Sequence, residues 1–239
     1  MPLPKIATPT YELVLPSTGK NLKYRPFLVK EEKLLVLALE SENTKEITTA
    51  IKNVIKACVL TRGVKIETLP TFDIEYLFLN IRGKSVGEEI EVNIICPDDG
   101  ETYAPVKINI DEIEVEKNEN HTNKIKLDAK LVMEMKYPSL EQFIKSNFDF
   151  SEEAAVDQSF DMVATCIDKI YNEEEVWTAS DCSKKELIDF LEQMNSSQFK
   201  EIEKFFESMP KLSHEVKVKN PNTGVESTVV LEGLSSFFA

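Results

Sequence analysis

Two turns in this sequence have the residue pattern of a zinc knuckle, a tight turn whose first and fourth positions carry cysteine ligands. Cys96-Pro97-Asp98-Asp99-Gly100 and Asn220-Pro221-Asn222-Thr223-Gly224 each follow an alternating strand pattern. The positions that would bind metal are Cys96, Asp99, Asn220 and Thr223. One thiolate, one carboxylate and two weak ligands do not suffice for structural zinc. We therefore predict ordinary turns without metal.

The histidines and the other cysteines form no recognisable reactive group. His121 and His214 are the only histidines, and neither has a second ligand four residues away or a cysteine nearby. No Cys-x-x-Cys pair exists, and Cys58 and Cys166 lie within apolar helical patterns that favour core packing. The motifs of serine hydrolases and of phosphate-binding loops are absent, so we predict no cofactor.

Paired carboxylates are the remaining candidates for catalysis, because two carboxyl groups in different environments can serve as acid and base. They cluster at Asp98-Asp99, at 111–116 and at 173–175. Each cluster lies in a polar loop or on the outward side of a strand, which favours a solvated face. A hydrolase that uses a pair among Asp98, Asp99 and Asp111 is the weaker alternative. An acidic surface for a basic protein partner is another.

Composition excludes several classes of protein. The 239 residues include 28 Lys+Arg and 42 Asp+Glu, a formal charge of −14, which argues against general binding to nucleic acid or anionic lipid. Hydrophobic residues make up 42% of the chain, enough for the core of one or two domains. No apolar run approaches the roughly 18 residues of a membrane span, and the first residues lack a signal-peptide pattern. We expect a soluble protein of the reducing cytoplasm.

Strand and helix patterns alternate in the first half. Residues 11–29 predict an opening hairpin, in which Pro26 makes the second strand an edge strand or shortens it. Within residues 30–40, the run from Leu34 to Leu39 is apolar nearly all round, which predicts a deeply buried helix lying against that hairpin. Two amphipathic helices and a second hairpin follow, at 43–58, from 71 to the glycines of 83–87, and at 90–110.

The second half begins with a strict alternation over 125–137, which predicts one long strand. An apolar stripe then predicts a helix from about Ser151 through Ile170. Two capping boxes begin two further helices, and a third hairpin follows: Ser183 with Glu186, Asn195 with Gln198, and 215–231.

These patterns predict an α+β fold in which β-hairpins of antiparallel strands alternate with helical blocks. Residues 1–137 form an N-terminal α+β domain of a hairpin, three helices, a second hairpin and the long strand. Residues 138–239 form a mainly helical domain, a helical bundle followed by a terminal hairpin and an apolar tip.

Several segments occur together in a known family. They are Pro9 to Leu13, Pro16 to Gly19, Tyr24 to Lys33, Phe72 to Leu77, Arg82 to Glu88, Cys96-Pro97, Tyr137 to Leu140, and Leu231 to Phe238. In this order they resemble the baseplate hub and hub-assembly proteins of T-even-type contractile-tailed bacteriophages. The resemblance implies a structural subunit or an assembly factor, with a chaperone absent from the finished particle as the alternative, and no catalysis. It implies other hub and tail proteins as partners, in the host cytoplasm during assembly or in the virion.

Three segments are the predicted contact surface for such partners, with homo-oligomerisation left open. The first is Arg25, Pro26 and Phe27. The second is a predicted loop with Arg82 and Lys84, basic residues beside glycines that permit close backbone approach. The third is the apolar tip with Leu234, Phe237 and Phe238, which either docks on its own domain or contacts a partner.

Overall fold

The computed structural model describes residues 6–41, 43–139, 155–233 and 236. The chain forms two compact units: Met1–Glu116 with Lys211–Ala239, and Lys117–Pro210. This division differs from the predicted boundary at Tyr137-Pro138. The reason is long-range strand pairing, because the last hairpin of the chain returns to the first unit.

The first unit opens with the predicted hairpin of β1 (Tyr11–Val14) and β2 (Asn21–Tyr24). Strand β2 ends before Pro26, as the sequence predicts. The hairpin turn is fixed to the rest of the unit by Ser17, whose backbone N–H donates to Asp73 Oδ1 at 3.0 Å.

Three helices follow: α1 (Val29–Glu40), α2 (Thr44–Cys58) and α3 (Thr71–Val86). Helix α1 packs on α2, and α2 packs on α3. The prediction that α1 is deeply buried is wrong, because its apolar residues exceed what one contact face can cover. Leu34 and Leu37 are 51% and 52% exposed.

Five strands complete the first unit. β3 (Glu89–Ile95) and β4 (Tyr103–Asn109) form the predicted second hairpin, with Ile90, Val92 and Ile94 on its buried face. A separate sheet has the order β11-β10-β5, formed by β5 (Glu114–Glu116), β10 (Lys211–Lys219) and β11 (Glu226–Glu232). Both sheets and Leu79 of α3 share one apolar core.

The second unit contains an antiparallel sheet with the order β6-β7-β8-β9. Its strands are β6 (Lys124–Lys126), β7 (Val132–Met135), β8 (Ile167–Tyr171) and β9 (Val176–Thr178). The predicted single strand over 125–137 is wrong, because the chain turns at Asp128. Asp128 Oδ1 accepts hydrogen bonds from the backbone N–H groups of Lys130 and Leu131, both at 2.7 Å.

Three described helices pack with this sheet around one core: α4 (Ala155–Cys166), α5 (Lys184–Glu192) and α6 (Ser196–Ser208). The chain is therefore α+β as predicted, but the second unit is not a helical bundle. The predicted helix through Ile170 ends at Cys166, where β8 begins. Its predicted start at Ser151 lies outside the described residues.

Both predicted capping boxes are confirmed. Ser183 and Glu186 exchange hydrogen bonds at the start of α5, as do Asn195 and Gln198 at the start of α6. None of the described helices is long and apolar enough to cross a membrane.

Candidate partner-binding surface

The two knuckle-like turns lie side by side in the first unit. Asn220, only 1% exposed, donates from Nδ2 to Asp98 Oδ1 at 3.0 Å and to Asp99 Oδ2 at 2.8 Å. Thr223 Oγ1 donates to Asp98 Oδ2 at 2.5 Å. Gly100 and Gly224 both have positive φ and donate to the first carbonyl of their own turn, at 2.9 Å each. Side-chain hydrogen bonds thus join the two turns.

The same geometry opposes acid–base catalysis by Asp98 and Asp99. Hydrogen bonds from Thr223 and Asn220 lower the pKa of Asp98. Hydrogen bonds from the Thr102 hydroxyl and backbone, and then from Asn220, lower the pKa of Asp99. Both carboxyls are therefore held ionised, so neither provides the acid of a hydrolytic pair. Asp111 instead lies 3.7 Å from Lys84 Nζ.

The turns also lack the thiolates of a zinc site. Burial and the neighbouring Asp98 and Asp99 carboxylates raise the pKa of Cys96, which favours the neutral thiol. Within the described ranges, no group of three or more His, Cys, Asp or Glu side chains could hold a metal ion.

In the predicted contact segment 25–27, the Arg25 side chain bonds to neighbouring groups of the first unit. Arg25 Nη2 lies 3.0 Å from Glu31 Oε1, and Arg25 Nη1 donates to the Pro26 carbonyl at 2.8 Å. Burial alone would raise the pKa of Glu31, but hydrogen bonds from Arg25, the Leu28 N–H and Lys30 lower it overall. Pro26 is buried, whereas the Phe27 side chain is partly exposed.

Arg82 and Lys84 lie in the last turns of α3, so the prediction of a loop at these residues is wrong. The close approach expected of the glycines occurs inside the fold, because a methyl group at Gly83 would lie 3.2 Å from Ile110 Cδ1. Lys84 forms an ion pair with Glu88, which raises the pKa of Lys84. Lys84 Nζ also lies 5.8 Å from the centre of the Tyr11 ring. Burial lowers the pKa of Arg82.

Phe27 and Arg82 meet in a groove between the three helices of the first unit. Its volume is about 240 Å³. Most of its lining is apolar, with Glu32 and Arg82 as the charged members: Phe27, Glu32, Leu35, Val36, Ala38, Ile47, Ile51, Phe78, Arg82 and Val86. We call this cavity the helical groove. Lys84 is not among its lining residues, so the structure does not bring all the predicted contact residues together.

Exposed apolar side chains extend along α1, with Val36 at the helical groove and Leu34 and Leu37 on the opposite side of the helix. They are Val29, Leu34, Val36 and Leu37, and Val86 adds one more at the end of α3. Such a concentration is unusual for the surface of a strongly acidic chain, and exposed apolar patches commonly mark protein contacts. The sequence signal for this surface is the excess of apolar residues in 34–39, a pattern that also predicts burial.

Leu234, Phe237 and Phe238 fall outside the described residues. Trp177 lies in β9 and is 41% exposed.

His121 is a structural residue of the second unit. Its Nδ1 lies 2.9 Å from Ser208 Oγ, which donates its own proton to the Lys204 carbonyl at 2.6 Å. Nδ1 must therefore carry the imidazole proton. Nε2 is buried without a hydrogen-bond partner in the described part of the chain, and the ring packs on Tyr137 and Phe205. Burial of this nitrogen lowers the pKa of His121, because the imidazolium would place an N–H in an apolar stack.

Replacing Asn220 with alanine should destabilise the first unit by about 2 kcal/mol, because Asp98 and Asp99 lose their shared donor at a buried position. Urea unfolding measures this change. Asn222→Ala is the matched control, since Asn222 is exposed and its side chain donates to Thr102 Oγ1 at 3.0 Å. We expect its cost to stay within about 0.5 kcal/mol. Equal costs for the two variants would contradict this role of Asn220.

Acid should destabilise the second unit through His121. Its folded pKa is lower than its unfolded value of 6.5, so the unfolded chain binds the extra proton first. The contribution is complete above pH 6.5 and is lost as the pH falls towards the folded pKa. Urea midpoints measured from about pH 7.5 to about pH 5 should fall further for the natural chain than for His121→Phe. Parallel pH profiles would rule out this linkage.

Comparison with known proteins identifies the family of this chain. No curated protein and no solved structure matches this chain. The family model described as T4 bacteriophage base plate protein matches residues 8–239, which is nearly the whole chain. This chain therefore belongs to the T4 bacteriophage base plate protein family.

Proposed function

We propose that this chain is a non-enzymatic protein of the central hub of the phage baseplate, where it serves as a structural subunit or helps the hub components assemble. Membership of the base plate protein family is the observation that carries the proposal. The hub role rests on the resemblance of segments such as Tyr24 to Lys33 to hub proteins. Its partners are other proteins of the phage tail.

The contact surface we assign is the exposed apolar side of α1 that carries Leu34 and Leu37. Leu34 and Leu37 would become buried on assembly, at about 25 cal/mol for each Å² of apolar surface removed from water. Charge adds selectivity, because a chain of formal charge −14 attracts partners with basic surfaces and repels other acidic ones. The partner favoured by both effects is a protein with an apolar contact patch and a basic surface around it.

Catalysis has weaker support. The best carboxylate pair, Asp98 and Asp99, is held ionised by the neighbouring turn. The groups that bond to these carboxyls join two β-hairpins and have a direct structural role.

The two forms of the proposal differ in where the chain is found. Quantitative mass spectrometry of purified phage particles and of the matching infected-cell lysate separates them. A few copies per particle, at a small-integer ratio to another hub protein, would identify a structural subunit. An assembly factor would copurify with hub intermediates and be missing from particles. Association with neither would overturn the hub proposal.

Substitution of the α1 face tests the contact surface. Leu34→Glu and Leu37→Glu place a carboxylate where an apolar neighbour should pack, so we expect the yield of infectious particles to fall at least about ten-fold. Because both positions are exposed, the free energy of unfolding of the isolated protein should change by no more than about 0.5 kcal/mol.

Leu60→Glu is the matched control, since Leu60 is 47% exposed and lies outside α1. We expect this variant to assemble at the natural level. A normal yield from the α1 variants, or an equal loss from Leu60→Glu, would refute the assignment of this face.

A further inference from the structure

One face of α3 lines the helical groove and extends beyond it towards the start of the helix. Phe78, Arg82 and Val86 line the groove at intervals of four residues. Glu75 lies three residues before Phe78, so it occupies the same face of the helix, one turn closer to its start. This face therefore runs without interruption from Glu75, through the groove, to Val86.

The chain leaves strand β11 beside this face. A methyl group at Gly233 would lie 3.8 Å from Glu75 Oε1, and the Gly233 N–H donates to the Leu212 carbonyl at 2.9 Å. Ser236 then closes a tight turn, because its N–H donates to the Gly233 carbonyl at 3.3 Å and its Oγ donates to the Glu232 carbonyl at 2.6 Å. The end of β11 is thus held on β10, with the Glu75 side chain of α3 beside it, about one helical turn from Phe78.

We propose that the tail of the same chain, residues 234–239, docks in the helical groove, with the Phe237 and Phe238 rings packed on Phe78 and Arg82. Leu234, Phe237 and Phe238 are apolar, as is most of the groove lining. Arg82 adds a cation that can lie over an aromatic face. The groove therefore has the chemistry that these side chains need.

Length and volume both permit this docking. Along the α3 axis, Phe78 lies about 4.5 Å beyond Glu75, and Arg82 lies about 10.5 Å beyond it. Two extended residues after Ser236 reach about 7 Å before their side chains are counted. A cavity of roughly 150 Å³ holds a benzene molecule, so the groove volume of about 240 Å³ accommodates at least one phenylalanine ring.

The attachment of the tail favours it over a free competitor. A segment fixed beside its own binding site has an effective concentration in the millimolar range, so even weak ring contacts suffice to hold it there. The docked tail covers the floor of the groove and leaves Leu34 and Leu37 of α1 exposed. This inference concerns the isolated chain and is independent of its place in the baseplate.

Disulfide trapping in the full-length protein tests the docking. Phe238→Cys is paired with Val36→Cys in one variant and with Val86→Cys in another, since both valines line the groove and are accessible. Both variants carry Cys182→Ser, because the other three natural cysteines are buried. We expect mild oxidation to form a disulfide within one chain for both pairs.

The control pairs Phe238→Cys with Tyr103→Cys. Tyr103 is as exposed as Val86 but lies six residues along β4 from Asn109, at the end of the hairpin next to the joined turns. We expect its intramolecular disulfide to form at least about ten-fold more slowly.

Two outcomes would overturn the proposal. Equal rates for the groove pairs and the Tyr103 pair would mean that the tail has no preferred site. Cross-linked dimers, formed at a rate that rises with protein concentration, would mean that the groove takes the tail of a second copy. Far-UV circular dichroism of the reduced variants establishes that each pair is compared in a folded protein. The trapping rates do not depend on phage assembly, so failure here is distinguishable from failure of the hub proposal.

Discussion

Strand β10 is the element on which the first unit depends. It pairs with β5 at Leu212↔Val115 and with β11 along seven residues from Ser213 to Lys219, so it joins segments that are about one hundred residues apart in sequence. Leu212, Val216 and Val218 place its buried face in the same core as α3 and the second hairpin. At one end, β10 leads into the Asn220 turn. At the other end, the Leu212 carbonyl accepts a hydrogen bond from the Gly233 N–H. The joined turns and the exit of the tail therefore both follow from the register of this strand.

The first unit combines a well-packed sheet region with an incompletely covered helical region. Strands β3 and β4 bury most of one face, whereas α1 leaves apolar residues exposed on more than one side. A surface of this kind costs solubility in a free protein. Burial of this surface against another protein would remove that cost, which agrees with membership of the base plate protein family.

Local patterns predicted much of this fold, and long-range contacts account for the rest. The capping boxes at Ser183 and Asn195 were predictable because all their partners lie within three residues. The turn at Asp128 was missed because apolar and polar residues alternate on both sides of it. The end of α4 at Cys166 was missed because the apolar spacing of the helix continues into β8. The helical groove could not be predicted, since Phe27, Ile47 and Phe78 meet only through tertiary packing. The joining of the two knuckle-like turns likewise depends on pairing across more than 100 residues, at Asn220 and Asp98.

The discontinuous first unit has a consequence for synthesis on the ribosome. Strand β5 emerges at Glu114–Glu116, but its partner β10 begins only at Lys211, after the whole of the second unit has been translated. The second unit, Lys117–Pro210, has its own sheet and its own core and is complete before the first unit can be. Domains generally fold as units during translation. The second unit can therefore complete its fold first, although the first unit begins earlier in the sequence. Strand β5 remains unpaired with β10 until the last hairpin has been synthesised.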